Sequence, residues 1–229
     1  RRQRQMCIRD SHSGVLPWGV KGALKHVDKD ALKPGDAIMH NDPFIGGTHL
    51  PDIIIFSPIF YNGKLVAFVG NLAHHVDVGG KVPGSLTPDA TEIFHEGICF
   101  PPVKVKKEGI IDSEIYGMFQ SNIRTKYESG GDLMAQIAAN NVGEKRFGEL
   151  CDEMGIDVVL EAVTELEKYC DRRMAAELEK LPAGIYEFED SLEGDGITTE
   201  EPLQIKVAVT TGGPKIKIDF TGTCPQVRG

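Results

Sequence analysis

Residues 52–70, DIIIFSPIFYNGKLVAFVG, constrain the fold of this chain more than any other stretch. Residues 52–60 and 64–70 are rich in β-branched and aromatic side chains and read as strands. The YNG between them reads as a hairpin turn, because Asn62-Gly63 accepts the positive φ angles such a turn needs. Antiparallel strands joined in this way bring the start of the first beside the end of the second. The segments flanking the hairpin are therefore predicted to be neighbours.

Those flanks are polar. NDPFIGGTHLPD (41–52) leads in, and NLAHHVDVGG (71–80) follows. His49 and Asp52 are spaced H-x-x-D across a proline, and His74 and His75 stand at the other end. Adjacent residues of a strand point to opposite faces, so one of His74 and His75 should join His49 and Asp52. Two imidazoles and a carboxylate suit a divalent first-row ion (Zn, Mn or Fe) with coordination positions left open. Such an ion would polarise a carbonyl oxygen or acidify a water.

The second histidine, Asp42 and Asp77 are candidates to orient those ligands, and His75, Asp77 and Glu96 are the candidate catalytic groups. Asn41, Asp42, Gly46, Gly47, Gly79, Gly80 and Arg124 are the candidate substrate-binding residues. The glycines would allow close backbone approach, and the arginine would pair with a carboxylate. Gly130-Gly131-Asp132 reads alternatively as a helix N-terminus.

Elsewhere the period changes along the chain. Residues 18–28 read as a short helix, 36–40 as a strand, and 80–104 as a long Gly/Pro-rich loop. Helices are predicted at 112–122, 130–154 and 156–181. The last is the clearest, with Val159, Val163, Leu166, Cys170, Met174, Leu178 and Leu181 recurring every three to four residues. LQIKVAVTT (203–211) and KIKIDFT (215–221) alternate as a second hairpin. With no third strand expected beside it, that hairpin is marginal alone, so the chain is read as truncated.

The fold class is therefore α/β (mixed α+β). An N-terminal mixed sheet with helices forms a metal-site unit at 13–110. A helical region follows at 111–182, and a β-rich unit begins at 183–229. Residues 1–12, RRQRQMCIRDSH, hold four of the nine arginines and read as a non-native or disordered leader.

A net charge of −9 argues against a nucleic-acid partner. No apolar run approaches the roughly 20 residues of a membrane span. The five cysteines are scattered without a C-x-x-C pair, which suits free thiols in the cytoplasm and excludes a zinc knuckle. P-loop, Rossmann and G-x-S-x-G signatures are absent, so any ATP is expected on a partner.

KPGDAIMHNDPFIGGTHLPDIIIFSPIF, NLAHHVDVGGKVPGSL, ATEIFHEGICFPPVK, the stretch from NIR to GGDLMAQIAANNVG, and DFTGTCPQVRG together resemble the hydantoinase B/oxoprolinase family. The resemblance runs from about Gly14 to Gly229. It implies a B-type subunit of a hetero-oligomer. An actin-like, A-type ATPase partner would activate a carbonyl by phosphorylation, and the B-type subunit would complete ring opening of a lactam or cyclic imide. The related α subunits of acetone and acetophenone carboxylases imply an alternative, carboxylation of a ketone. Metal ligands of that branch match His49, Asp52 and His74, which selects His74 over His75. A third alternative is a non-catalytic scaffold with a structural metal.

Overall fold

The computed structural model describes residues 14–198 and 202–229. The arginine-rich tract and Cys7 lie outside the described residues. The chain forms two compact units, residues 14–87 with 92–149, and residues 88–91 with 150–229.

The first unit is built on a five-stranded sheet. Its strands are β1 (Ala37–His40), β2 (Asp52–Tyr61), β3 (Lys64–His74), β4 (Val103–Lys107) and β5 (Ile110–Ile111), in the order β3-β2-β1-β4-β5. The sheet expected to be mixed has only antiparallel pairings. The β2–β3 hairpin turns at Asn62 (φ 51°) and Gly63 (φ 76°), with Tyr61 opposite Lys64. Pro58 is tolerated in β2 because β1 pairs β2 only over residues 54–56, so no ladder bond is lost there.

The run of isoleucines in β2 is apolar without interruption because both faces of the sheet are covered. Ile53 and Ile55 point into one core with Met39, Val105, Phe119, Ile123, Leu133 and Ile137. Ile54 and Phe56 point into the other with Ile38, Ala23 and Leu32. The helix α1 (Val15–Ala23) covers the second face. The helices α2 (Ser113–Asn122) and α3 (Lys126–Met154) cover the first.

Three expectations are corrected here. The helix expected at 18–28 is α1, shifted toward the N-terminus, and the loop expected at 80–104 ends in β4. Val103 and Val105 alternate with lysines, but Pro101-Pro102 hides that signal. Gly130-Gly131 is no helix start, because α3 begins at Lys126 and runs through both glycines. A Cβ at Gly130 would lie 2.6 Å from Gln120 Nε2 and 2.9 Å from the Tyr116 hydroxyl, both movable side-chain ends of α2.

In the second unit the end of α3 is followed by α4 (Ile156–Leu178). A sheet of β6 (Gly184–Leu192), β7 (Leu203–Thr211) and β8 (Lys217–Asp219) completes it. The bare hairpin expected from the sequence thus has a third strand, and β7 is central. Tyr186 and Phe188 alternate with Glu187 and Glu189, which is the overlooked strand signal. Among the described residues, no helix is long and apolar enough to cross a membrane.

Candidate metal centre

The hairpin register sets Asp52, the first residue of β2, directly opposite His74, the last of β3. His74 Nδ1 lies 2.8 Å from Asp52 Oδ1, and His49 Nε2 lies 2.9 Å from Asp52 Oδ2. The two imidazole nitrogens are 3.1 Å apart and the rings meet edge to face. Separations near 3 Å are those of neighbouring donors around an ion bonded at about 2.1 Å. The donor set and its spacing therefore fit a first-row divalent cation.

Asp52 is the buried floor of this group. Its side chain is 2 % exposed, whereas those of His49 and His74 are 39 % and 37 % exposed. The group consequently opens to solvent past the two imidazoles. Thr48 donates its hydroxyl to Asp52 Oδ2, and Asp52 N–H donates to the His49 carbonyl at 2.9 Å. Burial pushes the Asp52 carboxyl up. Hydrogen bonds from His74 and Thr48 and the charges of both imidazoles outweigh it, and the group sits below its ordinary value.

The polar loop before His49 is built to hold it in place. Asn41, fully buried, donates to the carbonyls of Leu50 (2.7 Å) and Ile98 (2.8 Å) and accepts from Phe100 N–H (2.6 Å). Its amide is engaged in stitching the loop to residues 98–100. Asp42 accepts from Phe44 N–H at 2.8 Å and caps the short turn Pro43–Ile45. That turn ends at Gly46, where φ is 116° and a Cβ would lie 2.9 Å from the Trp18 carbonyl oxygen. Cβ atoms at Gly47, Gly79 and Gly80 would likewise meet backbone oxygens at 2.4–2.9 Å. Asp42 also borders Cys99, whose thiol is held up by burial and by that carboxylate.

His75 points away from His74, into the core against Phe119 and Gln136. Burial pushes its imidazole below its ordinary value. Its backbone N–H donates to the Pro51 carbonyl at 2.8 Å, tying the end of β3 to the loop that carries His49 and Asp52.

Asp77 is 1 % exposed and accepts from Gly79 N–H (3.0 Å), Gly84 N–H (2.9 Å), Arg124 N–H (3.0 Å) and Arg124 Nη1 (3.0 Å). Burial raises this carboxyl, but the four donors together hold it below its ordinary value. Arg124 also donates to the carbonyls of Gly80 (2.6 Å) and Val82 (3.1 Å), so it clasps the 77–84 loop. Glu96 caps the short turn Ile93–His95.

Two residues that shape the centre were not singled out in the sequence. Thr48 braces Asp52, and its only sequence signal is its place beside His49. Gln136 holds His75. It lies on α3 with Ser129, Leu133 and Asn140, all buried at helical spacing. That polar interruption of an apolar stripe was legible.

Residues 5–229 match the family described as Hydantoinase B/oxoprolinase. Over 99 % of its length the chain is 36 % identical to the B-type component of a putative D-/L-hydantoinase from Pseudomonas sp. (strain NS671), spanning 40 % of that protein. The crystal structure of the ATP-dependent caprolactamase from Pseudomonas jessenii superposes with a TM-score of 0.82 at 35 % identity. That match covers 92 % of this chain and 37 % of that one. The nucleotide-free acetone carboxylase shares the fold, with a TM-score of 0.79 at 20 % identity over 91 % of this chain and 30 % of that one. The match along nearly its whole length shows that this chain belongs to the hydantoinase B/oxoprolinase family.

Proposed function

We propose that the chain carries the metal centre of a B-type subunit whose complex hydrolyses a cyclic amide, a lactam or imide, at the expense of ATP held by an A-type partner. The observation that carries this reading is the convergence of His49, Asp52 and His74 donor atoms, all within 4.8 Å of one another, in a chain of this family. ATP dependence is supported by the caprolactamase likeness and the division into subunits by the hydantoinase relative.

His49 Nε2, Asp52 and His74 Nδ1 would hold Zn, Mn or Fe, which supplies Lewis acidity toward a carbonyl oxygen. Thr48 aims the Asp52 carboxylate, and Asp52 in turn aligns both imidazoles. His75, expected from the sequence as a base, is instead fully buried against Phe119 and Gln136 and anchors the end of β3, while Asp77 and Arg124 shape the neighbouring loop. Three donors with exposed imidazoles suit an open catalytic site more than a closed structural one, which disfavours the scaffold reading. The carboxylase likeness is one of fold, at 20 % identity, and carries less weight than 35–36 % identity to cyclic-amide enzymes.

The test pairs metal content with activity. About one equivalent of Zn, Mn or Fe is expected in the purified chain, and none in a folded His49→Ala/His74→Ala variant. With an A-type partner, ATP-dependent opening of a lactam or hydantoin is expected with the unsubstituted chain and is lost in the variant. Bicarbonate-dependent ketone consumption without ring opening would replace this reading with the carboxylase.

A further inference from the structure

We propose that Gln136 is a positioning residue that fixes the tautomer of His75, so that in the neutral ring Nε2 carries the proton and Nδ1 presents the lone pair. The reasoning is one of donors and acceptors. Gln136 Nε2 lies 2.8 Å from the Ile53 carbonyl oxygen and 2.9 Å from Asn71 Oδ1. A backbone carbonyl only accepts, so the atom facing Ile53 is the amide nitrogen. Asn71 Nδ2 faces the Gln136 main-chain carbonyl at 2.9 Å and Asn140 Oδ1 at 2.8 Å. Asn140 Nδ2 faces the Ile55 carbonyl at 3.1 Å.

Each of the three amides is thus pinned independently by a main-chain oxygen, and none can flip without opposing acceptor to acceptor. Gln136 must therefore offer its oxygen to His75, 2.9 Å from Nε2, and the imidazole must donate. His75 is fully buried, and its Nδ1 finds no hydrogen-bond partner among the described residues. An N–H or O–H that meets this nitrogen donates to it. The tautomer does not rest on the function proposed above.

The experiment is long-range proton–nitrogen correlation on the chain labelled with nitrogen-15 histidine, the His75 signals being assigned by their loss in His75→Asn. The expected wild-type result is a protonated Nε2 and an unprotonated Nδ1. Gln136→Met fills similar volume without an acceptor oxygen, and a rise in the Nδ1-protonated form is expected in it. A wild-type ring protonated at Nδ1 overturns the proposal, and so does an unchanged ring in folded Gln136→Met. The wild-type spectrum decides the tautomer even where the variant does not fold. Ring opening is not read, so failure of the cyclic-amide function and failure of this inference are separate outcomes.

Discussion

Two buried aspartates stand in the two polar segments that flank the β2–β3 hairpin, and they are used differently. Asp52 meets two imidazoles and a hydroxyl, while Asp77 meets a guanidinium and three backbone N–H groups. Both carboxyls lie below their ordinary value. A lowered pKa alone therefore does not separate a ligand from a structural clasp. The identity of the donors does. An imidazole can give up its proton and bind a cation through the same nitrogen, whereas a guanidinium and a peptide N–H stay donors. Asp52 can exchange its partners for a metal, and Asp77 is saturated by groups that cannot leave.

The contrast is sharpest in a crossed pair of substitutions. Asp52→Ala should weaken metal binding by about 100-fold or more while the chain stays folded, as read by titration calorimetry. Asp77→Ala should leave metal stoichiometry unchanged in the folded chain but lower stability by about 3 kcal/mol, read from urea midpoints. It leaves the Arg124 guanidinium, 41 % exposed, and three N–H donors without their carboxylate. Equal metal loss in both variants would break the distinction.

Acid unfolding divides the two aspartates further. With both folded pKa values below the ordinary 3.8, the unfolded chain binds more protons. Their stabilisation is thus complete above that value and is lost as the pH falls through the folded pKa. Asp52→Asn and Asp77→Asn should each flatten this acid limb. Removing metal with a chelator should change the limb in wild type and in Asp77→Asn, but not in Asp52→Asn.

The smallest expected effect is at Thr48. Thr48→Val removes the hydroxyl that braces Asp52 and should weaken metal affinity by about 10-fold, with little change in urea midpoint. A large stability loss there would place Thr48 with the clasp rather than the centre.

Much of the centre was legible from local pattern. The Asn62-Gly63 turn and the two apolar runs define the hairpin, and the hairpin brings Asp52 to His74. Strand alternation requires that His74 and His75 part company. The long helix at 156–178 and the β7 strand were equally clear from their periods. β4 and β6 carry the same alternation but follow proline-containing segments that mask it.

What sequence alone determined was whatever depends on neighbours in the chain: turn chemistry, period, and the types of donor brought to one sheet end. Tertiary structure decided how those donors are spent. Asp77 and Arg124 are 47 residues apart, and nothing local says that they neutralise each other. Asn41 and the glycines carry equal sequence weight as substrate contacts or as loop packing, and only the Leu50, Ile98 and Phe100 contacts show Asn41 engaged within the protein. The choice is made by long-range hydrogen bonding, because a buried polar group takes whichever partner the fold delivers, and that partner comes from a distant segment.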